Sequence, residues 1–177
     1  MIARLTLVAA LLATPLAAQD LVLELEAGEI TIALNADAAP EHVARIVALA
    51  EDGAYDGVAF HRVIEGFMAQ TGDVECGTVD ATCPAGTGGS DLPDLPAEFS
   101  DLSFEPGVVG MARSSSPNSA NSQFFIMFAP APHLNGQYTV VGEVADGMDV
   151  VNGITRGSGR GGSVADPDRI ISAHIAE

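Results

Sequence analysis

Lysine and tryptophan are both absent from this 177-residue chain, so every permanent cation on it is one of seven arginines. Against 24 Asp and Glu side chains the formal net charge is −17. A surface of that sign repels phosphate backbones and anionic lipid, which disfavours nucleic acid and membrane partners. The acids are scattered rather than gathered in a run, as on a solvated globular surface. Cysteine is also scarce. Cys76 and Cys83 are the only two, no histidine lies near them in sequence, and a metal site would need further ligands. No apolar run reaches the length of a permanent membrane span.

The one long apolar run stands at the N-terminus. Arg4 gives a short positive start, residues 5–13 are apolar, and residues 14–18 (TPLAA) supply a breaker and small residues. This reads as a secretory signal over residues 1–18, with a single domain over residues 19–177. Losing Arg4 with the signal takes the net charge from −17 to −18. No cysteine follows the run, so no lipid anchor is expected. In an exported protein a cysteine pair with six residues between them is most simply a disulfide, with free thiols as the alternative. Closing so short a loop is worth about 2.5 kcal/mol on the chain-entropy estimate.

Residues 21–25 and 28–34 alternate as a hairpin joined at Glu26-Ala27-Gly28. Residues 41–52 carry Val43, Ile46, Val47 and Leu49 at helical spacing after Pro40, and end at Gly53. Residues 60–64 and 67–70 are extended pieces hinged at Gly66. Residues 72–95 have no periodicity and form a long loop, which in a compact domain is functional or tied down. Strands follow over 108–112, 123–128 and 138–144, then a short helix over 148–154, a flexible connection over 156–162 and a closing strand over 169–175. In residues 123–128, Phe124, Ile126 and Phe128 share the core face, and Gln123 with Phe125 looks toward a groove. Many short strands with two modest helices indicate a small antiparallel barrel.

Residues 60–73 read FHRVIEGFMAQTGD. Arg62 sits there among Phe60, Val63, Ile64, Phe67 and Met68, although a guanidinium is costly to bury without partners. Two readings are open: a rim arginine paired with Asp73 or Glu65, or a functional cationic site. This segment resembles the signature of the cyclophilin-type peptidyl-prolyl isomerases, with Thr71 where a glycine is usual. Residues 110–143, GMARSSSPNSANSQFFIMFAPAPHLNGQYTVVGE, resemble the other half of that family's active site. The similarity takes in Gly86 to Gly89 and residues 146–154, and extends from about Leu21 to the C-terminus.

The resemblance implies a mainly β fold, a closed eight-stranded antiparallel β-barrel capped by two α-helices. It also implies peptidyl-prolyl cis-trans isomerase activity on proline-containing polypeptides. On it, Arg62 is the catalytic donor. Phe67, Met68, Phe125 and Leu134 line a proline slot, and Gln70, Gln123 and the backbone of Ala112 and Arg113 bind along the groove. Placing both Phe67 and Met68 in the slot requires a bend after Gly66. The reaction makes and breaks no covalent bond, so no cofactor and no metal is expected. Three positions depart from the best-known members: His133 for tryptophan, Tyr138 for histidine and Arg113 for asparagine. With the tryptophan gone, weak cyclosporin binding is expected. The remaining expectations are a monomer and an exported location, the periplasm or beyond it, where the chain assists folding. A non-enzymatic binder of proline segments would need the slot but not Arg62. A small-ligand barrel would need a hollow interior.

Overall fold

The computed structural model describes residues 19–176; the expected signal lies outside the described residues. Eight strands form one sheet: β1 (Asp20–Leu25), β2 (Gly28–Leu34), β3 (Arg62–Ile64), β4 (Met68–Thr71), β5 (Val108–Met111), β6 (Phe124–Met127), β7 (Val140–Asp146) and β8 (Ser172–Ala176). Every pairing is antiparallel, in the order β3-β4-β6-β5-β7-β2-β1-β8. The sheet curls, but no strand ladder joins β3 to β8. That seam is closed by single bridges, Ala59 to Arg169 and Arg62 to Ser163. Phe60 N–H donates to the Asp168 carbonyl and Ile170 N–H to that of Val58, both at 2.9 Å.

Helix α1 (Pro40–Glu51) buries His42, Val43, Ile46, Leu49 and Ala50; α2 (Met148–Gly153) buries Val151. With Leu21, Leu23, Ile30, Ile32, Phe60, Phe124 and Ile126 they fill the interior. This is a packed core, not a ligand cavity. Strand β6 is buried on both faces: Phe124 and Ile126 point inward, while Phe125 and Met127 join a second cluster with Met68, Phe104, Ala131, Leu134 and Val140. Phe128, expected in the core, is half-buried beyond the strand's end, under the Arg156 guanidinium at 4.1 Å from its ring centroid.

Several boundaries differ from the sequence reading, each for a local reason. Strand β7 begins at Val140 because a 3-10 turn, Pro132–Leu134, carries the chain onward, with Tyr138 N–H donating to the Leu134 carbonyl. The connection over 156–162 is pinned to the edge of β3: Val63 N–H donates to the Gly162 carbonyl at 2.8 Å, and Gly157 N–H to that of Val63 at 2.9 Å. Thr71, the departure from the signature, is buried and its hydroxyl donates to the Ala59 carbonyl at 3.0 Å.

Cys76 and Cys83 are bonded to each other, with Cα atoms 5.2 Å apart. The loop around them is tied to the buried Asp73, whose carboxylate accepts from the N–H of Cys76, Gly86 and Gly88 at 2.8, 2.6 and 3.1 Å. A second tie reaches α1. Its N-cap, Ala39, has no side-chain acceptor. Glu98 supplies one from outside the helix, accepting from Glu41 N–H at 3.2 Å, His42 N–H at 3.1 Å and His42 Nδ1–H at 2.6 Å. Burial pushes the Glu98 carboxyl upward, but these three bonds outweigh it and hold its pKa below the ordinary value.

Candidate functional site

Register places the site. Arg62 lies opposite Gln70, Gln70 opposite Phe125, and Phe125 opposite Gly110, so one row crosses β3, β4, β6 and β5 on the outer face. Strand alternation does the rest: Val63 and Ala69 beside them turn into the core. Gly110 leaves the row open, since a Cβ there would lie 2.6 Å from Phe104 and 2.7 Å from Phe125. The two rings instead stack at 5.7 Å.

The bend after Gly66 is present. Gly66 adopts φ +68°, and Phe67 N–H donates back to the Ile64 carbonyl at 3.0 Å. Phe67 thereby falls outside β4 and packs on the same outer cluster as Met68. Arg62, Phe67, Met68, Gln70, Ala112, Arg113, Phe125, Leu134 and Tyr138 together line a pocket of about 150 Å³. Gln123 instead lines a neighbouring cleft of about 390 Å³, which shares Gln70, Ala112 and Arg113 and runs along Gly86 to Ser90. His133 stands outside the pocket wall, stacked on Phe67 with ring centroids 5.9 Å apart.

Arg62 has no carboxylate partner among the described residues. Its Nε–H donates to the Gly161 carbonyl at 3.1 Å, and Nη1–H to Gln70 Oε1 at 3.0 Å with the Met68 sulfur at 3.9 Å. Both acids proposed as partners are engaged elsewhere: Glu65 with Arg156 at 2.6 Å, and Asp73 with the loop N–H groups. The rim ion-pair reading therefore falls. A guanidinium held by neutral acceptors keeps its full field for whatever enters the pocket.

Arg113 forms the opposite wall. It donates to the carbonyls of Gln137 and Ser114, both at 2.9 Å, and lies 4.3 Å over the Tyr138 ring. Tyr138 meets Phe125 edge-on at 5.8 Å. His61, next to Arg62 in sequence, is buried, and neither ring nitrogen is hydrogen-bonded to a described residue. Burial lowers its pKa, with Asp73 opposing in part. Gly86 packs against His61, so that a Cβ there would sit 3.0 Å from its ring. Sequence reasoning missed Phe104, which backs Phe125, and Gly161, which orients Arg62. Neither stands in a motif that would have pointed to it.

The family model described as cyclophilin type peptidyl-prolyl cis-trans isomerase/CLD matches residues 21–175. A probable peptidyl-prolyl cis-trans isomerase of Brucella suis biovar 1 (strain 1330) is 60% identical over 158 residues, 87% of this chain and 81% of that protein. A peptidyl-prolyl cis-trans isomerase of Synechococcus elongatus is 38% identical over 157 residues, 87% of this chain and 94% of that one. Among solved structures, a Cryptosporidium parvum cyclophilin type peptidyl-prolyl cis-trans isomerase, crystallised in the presence of the dipeptide Ala-Pro, superposes with a TM-score of 0.79 at 27% identity, covering 89% of this chain and 99% of that one. A cyclophilin from Hirschia baltica gives 0.72 at 28% identity, covering 87% and 72%. With a match that runs from the first strand into the last, around a pocket that Arg62 lines with Phe67, Met68, Phe125 and Leu134, the chain belongs to the cyclophilin-type peptidyl-prolyl cis-trans isomerases.

Proposed function

We propose that the chain accelerates rotation about X–Pro bonds in exported polypeptides, with Arg62 as the group that stabilises the twisted amide. The barrier to that rotation is about 18–20 kcal/mol because amide resonance must be broken. At the top of the barrier the prolyl nitrogen regains a lone pair, so a donor aimed at it binds the transition state better than the planar ground state. Bringing a step of tens of seconds to the millisecond range takes roughly 10⁴-fold, about 5–6 kcal/mol.

The observation that carries this reading is Arg62 itself. It is a permanent cation in a pocket whose apolar wall is Phe67, Met68, Phe125 and Leu134, with Nε and Nη1 bonded to neutral acceptors and Nη2 donating to no described residue. In this account the proline ring enters between Phe67, Met68, Phe125 and Leu134, the size of the pocket matching one small ring. Gln70, Gln123 and the backbone of Ala112 and Arg113 hold the flanking peptide, and Tyr138 and His133 border it. The presence of Ala-Pro with the Cryptosporidium relative supports a prolyl occupant.

Two features support export: the signal-like residues 1–18 and the Cys76–Cys83 bridge. The chain then serves as a monomeric folding assistant in the periplasm or outside the cell. The direct test is cis-trans exchange of a short Ala-Pro peptide, followed by NMR with and without the mature protein. Line-broadening by catalysed exchange at substoichiometric protein is expected, and an uncatalysed rate would refute the reading.

A further inference from the structure

Arg62 stands at the end of a one-way chain of hydrogen bonds that begins at the disulfide loop. Arg62 Nη1–H donates to Gln70 Oε1 at 3.0 Å, Gln70 Nε2–H to Gln123 Oε1 at 2.9 Å, and Gln123 Nε2–H to the Gly88 carbonyl at 2.8 Å. The two ends are not interchangeable, because a guanidinium only donates and a backbone carbonyl only accepts. The two amides between them must therefore point the same way. Turning either one sets two donors or two acceptors face to face. Whatever fixes the Gly88 carbonyl thus fixes which atom Gln70 presents to Arg62.

Gly88 is held by Asp73 and packs against the bridge. Its N–H donates to Asp73, which also accepts from Cys76 and Gly86, and the Thr87 hydroxyl lies 3.7 Å from the Cys76 sulfur. The contact is close: a Cβ on Gly88 would lie 2.6 Å from Asp73 Oδ1 and 2.8 Å from Cys76 Sγ. Cys76, bonded to Cys83, can move only with that partner.

We propose that the Cys76–Cys83 bridge, Gly88 and Gln123 form a positioning device for the Arg62 guanidinium, which makes turnover depend on the bridge. The inference rests on the reading of Arg62 as the transition-state donor. Gly88 and Gln123 act on it through Gln70. A dithiol supplies the perturbation: its thiolate attacks one bridge sulfur, its second thiol resolves the mixed disulfide, and it leaves as a cyclic disulfide. Two electrons and two protons pass to Cys76 and Cys83, which end as thiols.

The test measures kcat and KM separately on an Ala-Pro peptide, without a coupling protease, for the mature chain oxidised, reduced with dithiothreitol, and as C76S/C83S. Loss of one aligned bond to the guanidinium should lower kcat about fivefold in the reduced and doubly substituted forms. The apolar slot is untouched, so KM should stay within about twofold. The side-chain Nε–H resonance of Arg62 should shift on reduction. In Gln123→Leu the chain is already cut, so reduction should change kcat by less than about 1.5-fold. Gly88→Ala, which displaces the carbonyl with the bridge intact, should lose kcat when oxidised. An unchanged kcat on reducing the unsubstituted chain overturns the proposal, as does an equal fall in Gln123→Leu. Arg62→Ala separates the two levels. If it turns over at the full rate, the donor reading fails and takes this inference with it. If it is slow while the unsubstituted chain ignores reduction, only the positioning device fails.

Discussion

Replacing Glu98 by Ala removes the only side-chain acceptor that the described residues offer at the N-terminus of α1. The carboxylate takes the N–H of Glu41 and His42 and the Nδ1–H of a fully buried His42, whose Nε2 already lacks a partner among the described residues. Losing a helix cap costs about 1 kcal/mol. Leaving a second buried ring nitrogen unpaired adds about 1–3 kcal/mol. Together, about 2–4 kcal/mol of stability at neutral pH should go, lowering Tm by about 2–4 °C per kcal/mol for a domain of this size. The pH dependence distinguishes this from a packing defect. Because the folded pKa of Glu98 is depressed, its contribution is fully present above the unfolded value of about 4.3 and is lost as pH falls through the folded pKa. Urea titrations of both proteins at pH 7 and at successively lower pH provide the assay. The gap between them should narrow below about pH 4.3 as the carboxyl protonates. A loss under about 0.5 kcal/mol at pH 7, or a gap that does not change with pH, would refute the capping argument.

Further outcomes follow from the same structure. The intact mass of the protein recovered from the export compartment should lack residues 1–18 and two hydrogens; a retained signal or two alkylatable thiols would contradict that expectation. His61 is buried and its pKa depressed, so its neutral ring gives stability that is present above the unfolded pKa of about 6.5 and is lost as pH falls, at up to about 1.4 kcal/mol per pH unit. In His61→Gln that slope between pH 6.5 and the folded pKa should disappear from urea titrations, and a slope that persists would count against it. His133 offers a smaller and more polar face over Phe67 than an indole, so cyclosporin should bind about ten- to a hundredfold more weakly than to tryptophan-bearing relatives. His133→Trp should recover part of that affinity by calorimetry; equally tight binding without the substitution would refute the argument.

What could be read from the sequence was what local pattern encodes. Alternation in residues 123–128 set Phe124 and Ile126 against Phe125, and those faces separate the core from the pocket wall. The resemblance over residues 60–73 and 110–143 named the side chains that line the pocket, and the need for a bend after Gly66 followed from setting its placement of Phe67 and Met68 against period-two alternation. Partners chosen by long-range folding could not be read in the same way. The carbonyl that orients Arg62 belongs to Gly161, 99 positions away, and the acid that caps α1 lies 56 positions from His42. Residues 156–162 read as free because glycine has no side chain to signal packing, yet here the backbone itself pairs with β3. Asp73 and Glu65 were plausible partners for Arg62 by proximity in sequence, but each meets stronger local demands: buried N–H groups for one, Arg156 for the other.

The most direct test of Arg62 as the group acting on the twisted amide is kcat/KM of Arg62→Ala on an Ala-Pro peptide, measured by cis-trans exchange alongside circular dichroism and peptide affinity. A folded variant that still binds the peptide but turns it over at least about tenfold more slowly is the predicted result. Unchanged turnover in a folded Arg62→Ala protein would contradict the mechanism.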